Sequence, residues 1–96
     1  MAVGMVMQFR GLGEEQYEAV MRQLGLTSNR GDWPAGIISH VAGPTPDGWC
    51  VVDVWEAREQ FDAFLRDRLR PAFDAVGGLP QPVVTFFRVH NAYRRG

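Results

Sequence analysis

Lysine is absent: all ten basic residues of the 96-residue chain are arginine. A guanidinium stays protonated, so Schiff-base and lysine-general-base chemistry are excluded, and each arginine can act only as a fixed cation or hydrogen-bond fork. Coding bias accounts for the absence as simply as function does, and the exclusion holds either way. Cysteine is almost as scarce. Cys50 alone cannot close an intramolecular disulfide, and no pair or cluster has metal-ligand spacing, so a reducing cytoplasm is the expected compartment. A basic stripe is missing too: the net charge is −1 with acids and bases interspersed, which argues against a nucleic-acid partner. The terminal Tyr93-Arg94-Arg95-Gly96 is too short to count as one. No run of apolar residues is long enough to cross a bilayer, and Met1-Ala2-Val3-Gly4 lacks a charged segment ahead of an apolar one, so neither membrane nor export is expected. Repeats, low-complexity segments and linkers are also lacking, which predicts one domain over residues 1–96. A chain of this size buries only about 60–65% of its unfolded surface, so a second subunit would add stability.

What is present is a change of hydrophobic period. In GWCVVDVWEAREQFDAFLRDRLRPAFDAV (residues 48–76) the period shifts from two to about 3.6 at Trp55-Glu56, which predicts a strand running straight into an amphipathic helix. The helix stripe is Phe61, Phe64, Leu65, Leu69, Ala72, Phe73 and Val76, and Pro71 inside it predicts a bend near Arg70. Upstream, VGMVMQFR alternates as a strand, with Met5, Met7 and Phe9 on one side and Val6, Gln8 and Arg10 on the other. Glu14-Glu15 then sit where a helix macrodipole favours acids, Tyr17, Val20, Met21 and Leu24 make its apolar stripe, and Gly25 ends it. Residues 27–35 (TSNRGDWPA) carry turn signals throughout, with Trp33-Pro34 either a loop anchor or a lid. Residues 36–42 read as a second strand, Gly43-Pro44-Thr45-Pro46-Asp47-Gly48 as a hairpin loop, and residues 83–91 (VVTFFRVHN) as the last strand, with Val84, Phe86, Arg88 and His90 on one side. The order is βαββαβ, a split βαβ sandwich with one open sheet face and expected strand order 4-1-3-2.

Pairing Ala42 with Trp49 across the hairpin sets His40 opposite Val51 and Ile38 opposite Asp53, so His40, Trp49, Asp53 and Trp55 share a face. The other face, Ile37, Ser39, Val41, Cys50, Val52 and Val54, is nearly all apolar and is expected to receive the helices. The aromatic face would then be open. At ~25 cal/mol per Å² its exposure forfeits several kcal/mol, so a second copy is expected to cover it and leave a cleft for a small ligand.

His40 has the chemistry of a general base, and Asp53 beside it can orient the imidazole; the alternative, a wall histidine satisfied by a backbone or water hydrogen bond, stays open. Arg10 and Arg88 can grip a carboxylate or enolate, or can simply be solvated. His90 is either a second acid-base group or an interface residue. A metal site from His40, Asp53 and His90 is disfavoured because the two histidines sit at opposite ends of separated strands. Cys50 and Ser39 face the expected helix side, and Gly11-Leu12-Gly13 lacks the third glycine of a phosphate cradle, so nucleophilic and nucleotide chemistry have no support.

The junction VDVWEAREQFDAFL (residues 52–65), the run RLRPAF (residues 68–73) and the ending VHN (residues 89–91) resemble the dimeric α/β-barrel superfamily, and most closely its antibiotic-biosynthesis-monooxygenase branch. The resemblance spans nearly the whole chain. It implies an α+β, ferredoxin-like βαββαβ sandwich with a four-stranded antiparallel sheet that pairs as a homodimeric barrel. It also implies oxygenation of a phenolic or polyketide-like molecule without any cofactor, with Trp55 at the pocket tryptophan; an Asn found upstream of that tryptophan in some members is Val51 here. Of the haem-degrading members' pattern only Trp55 matches, since Leu65 stands where the iron ligand would be and Gln8 replaces an Asn. The expected catalytic set is therefore His40, Asp53 and Trp55, with Gln8, Arg10, Trp49, Phe86, Arg88 and His90 as substrate contacts and a small apolar or aromatic ligand. The rival reading is a non-catalytic binding module with the same cleft.

Overall fold

The computed structural model describes residues 1–28 and 30–95, and within them the element order is βαββαβ. Strand β1 (Val3–Arg10) leads to helix α1 (Glu14–Leu24), then to the hairpin of β2 (Ile37–Thr45) and β3 (Gly48–Trp55). A broken helix follows, α2 (Arg58–Phe64) and α3 (Arg70–Val76) about a π-helical segment, Leu65–Leu69, and β4 (Val83–Arg88) closes the sheet. The strands lie in the order β2-β3-β1-β4, antiparallel throughout, so the α+β ferredoxin-like architecture is as expected.

Local chemistry explains the element ends. Neither Gly13 nor Ala57 offers a capping side chain, and a glutamine three residues on supplies the acceptor instead. Gln16 Oε1 accepts from the Gly13 N–H at 2.9 Å and Gln60 Oε1 from the Ala57 N–H at 3.0 Å. Gly25 ends α1 at φ 73°, in the left-handed region that a side chain disfavours. The second helix changes its hydrogen-bond pattern just ahead of Pro71. Proline has no N–H to give to the turn before it, and the ladder there widens so that the Arg70 N–H bonds Leu65 O, five residues back. Arg68 leaves this wide turn to donate to Leu24 O at 2.9 Å, tying the second helix to the end of α1.

The two sheet faces are exchanged relative to the expectation. The helices cover Met5, Met7, Phe9, Trp49, Val51, Asp53 and Trp55, all buried, whereas Val6, Val41, Val52, Val54 and Phe87 lie on the uncovered side. Val41 is 64% exposed and Phe87 50%, while Trp55 is 1%. Methionines and aromatics bury more apolar area per residue than valines, so the chain gains more by folding its helices over them. Two smaller corrections follow from the hairpin. Strand β2 runs on through Pro44 to Thr45, which an edge strand tolerates because proline's missing donor would point to solvent. The pairing is therefore His40 with Asp53 and Ala42 with Val51, two residues from the expected register, which leaves the shared face intact. A bulge between Ile37 and Ser39 resets the alternation, so Ile37 joins the core while Ser39 faces outward.

Candidate functional site

The site is a chain of four side chains on the covered face. Strand pairing sets Asp53 of β3 beside His40 of β2, and their neighbours complete the line. The His40 Nδ1–H donates to Asp53 Oδ1 at 2.7 Å, and the Trp55 Nε1–H donates to Asp53 Oδ2 at 3.2 Å. As a carboxylate Asp53 can only accept, so both its oxygens are served although the residue is buried, and the desolvation cost of the charge is offset. With the proton of neutral His40 fixed on Nδ1, Nε2 is an acceptor, and the Tyr17 hydroxyl on α1 donates to it at 2.8 Å. The order of donors is thus Tyr17 to His40 to Asp53, met from the far side by Trp55.

Aromatic rings frame this chain. Tyr17 stacks on Trp49, with centroids 4.9 Å apart, and Trp33 leans over His40 at 5.2 Å. Trp33 belongs to the turn-rich loop, where its Nε1–H donates to Ser28 O at 2.8 Å. That bond anchors the loop, and the half-buried indole also covers the imidazole, so both sequence readings of this residue describe part of what it does. Burial, with Glu18 and Asp53 adding negative charge nearby, pushes the Tyr17 hydroxyl up to about 12, so it stays a proton donor at neutral pH. Unfolded, it would ionise near its ordinary 10, so above that value the unfolded state holds fewer protons than the folded one and stability must fall as pH rises toward 12. Urea midpoints measured between pH 9 and pH 12 are expected to decline more steeply for the natural chain than for Tyr17→Phe.

Between sheet and helices lies an apolar cavity of about 60 Å³, lined by Met5, Met7, Phe9, Met21 and Val51 and also by Tyr17, Trp33, His40 and Asp53. An engineered cavity of about 150 Å³ holds a benzene ring, so an aromatic guest here would have to displace part of the wall.

The structure brings His40, Asp53 and Trp55 together, and it separates the expected substrate contacts. Gln8 and Arg10 are exposed and point to the opposite face of the sheet, because alternation from the buried Met5, Met7 and Phe9 puts them there. Trp49 is buried behind Tyr17 and does not line the cavity, and its Nε1–H meets no acceptor among the described residues. Phe86 packs on Phe61 at 5.4 Å with the Arg58 guanidinium over its ring at 3.9 Å, outside the cavity wall. Arg88 is exposed at the end of β4, and His90 lies past that strand and is exposed as well. Among the described residues no group of three or more His, Cys, Asp or Glu side chains could hold a metal ion, and no helix is long and apolar enough to cross a membrane. Tyr17 was legible only as part of a helix stripe. A tyrosine among core positions needs a partner for its hydroxyl, and that need was the available signal.

No protein-family profile matches the chain, and no curated protein matches it by sequence. Solved structures do match. SnoaB, a cofactor-independent oxygenase from Streptomyces nogalater, is 17% identical over 98% of both chains with a TM-score of 0.68. A putative antibiotic biosynthesis monooxygenase from Chloroflexus aurantiacus J-10-fl is 18% identical over 100% of both, also at 0.68. A monooxygenase from the gene ActVA-Orf6 of Streptomyces coelicolor, in complex with the ligand Nanaomycin D, is 22% identical over 99% of this chain and 92% of its own, at 0.58. The chain shares the fold of these proteins, an α+β ferredoxin-like sandwich.

Proposed function

We propose that this protein is a cofactor-independent monooxygenase that oxidises a small phenolic, polyketide-like molecule held between its sheet and helices. The observation that carries the reading is the Tyr17–His40–Asp53 chain on the wall of an apolar cavity, with Trp55 held to Asp53 from outside that wall. The bound phenol gives its proton to His40 Nε2, and Asp53 stabilises the imidazolium that results. The electron-rich phenolate carbon then reduces dioxygen: a carbon–oxygen bond forms, the peroxide takes up the proton, and loss of water together with the ring hydrogen leaves a quinone. One phenol and one dioxygen thus become one quinone and one water. Apolar walls keep bulk water from the carbanion, and the neighbouring folds, one a cofactor-independent oxygenase and one holding Nanaomycin D, support the class of reaction.

A second copy of the chain fits the uncovered face made by Val6, Val41, Val52, Val54 and Phe87, a largely apolar surface with the exposed Gln8 and Arg10 toward one end of β1. In this arrangement the cleft belongs to one protomer and lies on the far side of the sheet from the interface. One observation favours the rival reading of a binding module: Tyr17 already occupies the lone pair of His40, and Trp33 covers the ring. Aerobic incubation with a hydroxylated naphthalene decides between them. The oxygenase should consume dioxygen and form the quinone in equal amounts, with label from isotopic dioxygen in the new carbonyl. Tight binding without oxygen uptake would establish the module instead.

A further inference from the structure

Both nitrogens of His40 are engaged before any ligand arrives. Nδ1 is held by Asp53, and Nε2, the only atom able to take a proton from a guest, is held by the Tyr17 hydroxyl at 2.8 Å. The geometry around that hydroxyl is what a bound phenol would need. The Tyr17 ring lies nearly parallel to the imidazole, 8° between planes, and stacks on Trp49 with centroids 4.9 Å apart. Beyond it only about 60 Å³ stays free, so a ring cannot add to this arrangement and must replace part of it.

We propose that Tyr17 is an internal competitor for the substrate: its hydroxyl latches His40 Nε2 in place of the substrate phenol, so the site admits acidic phenols and enols that bind the base more strongly than a tyrosine does. The proposal rests on the phenol-oxidising reading above and names the substrate class within it. A hydrogen bond to a neutral base strengthens as the donor becomes more acidic, and a phenol acidified by a nearby carbonyl or nitro group therefore displaces an ordinary one. Tyr17 itself does not transfer its proton, because burial and the carboxylates beside it keep the hydroxyl neutral. The latch also holds the Nδ1–H tautomer ready, so release of Tyr17 leaves His40 aligned as a base with no further rearrangement. Tyr17 thus acts as a positioning residue through His40, with a second effect on which hydroxyl can reach it.

The test is titration with para-nitrophenol, whose anion absorbs visibly, and with unsubstituted phenol, into the natural chain and Tyr17→Phe. Removing the competing hydroxyl is expected to tighten both ligands by a common factor of roughly tenfold, the worth of one such hydrogen bond. Tyrosine ring resonances of the natural chain provide a second readout that does not depend on how the variant folds. Those of Tyr17 are expected to shift as para-nitrophenol saturates the site. Unchanged or weaker affinity in Tyr17→Phe, or resonances that stay fixed while ligand binds, would overturn the latch and leave the oxygenase reading standing. Tightening without oxygen uptake would sink the oxygenase reading alone. Absence of phenol binding in both proteins would overturn the two together.

Discussion

Substituting His40 with glutamine should lower quinone formation by about 10²–10⁴-fold, the usual worth of a positioned general base, with little change in the denaturation midpoint. Glutamine can still donate toward Asp53 and accept from Tyr17, so the hydrogen-bonded line survives while the proton acceptor is gone. Alanine at the same place is a harsher change. It strips a partner from the buried Asp53 and from Tyr17, and should cost about 1–3 kcal/mol of stability in addition to the activity. Comparing the two separates chemistry from structure. A glutamine variant that keeps full turnover would show that His40 only completes the wall.

The largest effect on stability is expected at Trp55. Its indole is 1% exposed, packs edge-on against Phe61 at 5.6 Å, and donates to the buried Asp53. Trp55→Ala should cost about 3–5 kcal/mol from the cavity it leaves, and more because one carboxylate oxygen loses its donor. Against a total of about 5–15 kcal/mol for a domain, this leaves the chain marginal at 25 °C. Trp55→Phe keeps most of the packing and drops the N–H, so it should lose only the hydrogen-bond part. Urea denaturation at two protein concentrations checks the origin of the loss. Since Trp55 is covered by its own helices, the difference between natural chain and variant should not depend on concentration, as it would if a sister copy did the covering.

Periodicity made much of this arrangement readable. The change from period two to 3.6 at Trp55 located the β3–α2 junction, Pro71 marked where the second helix becomes irregular, and βαββαβ order led to the observed sheet. His40, Asp53 and Trp55 were legible as sharing a face because a slip of two residues, the error made in the hairpin, preserves the alternation. Which face would be covered was not legible, since both are apolar and alternation carries no sign. Valines at Val41, Val52 and Val54 looked like the better core, but the methionine and tryptophan side offered more area and could satisfy its one buried carboxylate internally. The bulge after Ile37 leaves no mark in composition. Tyr17 and Trp33 meet His40 only through contacts across 23 and 7 residues of chain, which no local pattern encodes.

The measurement that bears most directly on this account is a crystal structure of the protein soaked with a hydroxynaphthoquinone-type phenol. The expected result is a ligand between sheet and helices, its hydroxyl within hydrogen-bond reach of His40 Nε2, Tyr17 turned away and Trp33 displaced to make room. A ligand seated on the Val41 and Val52 side of the sheet, or one bound with the Tyr17–His40 contact intact, would contradict it.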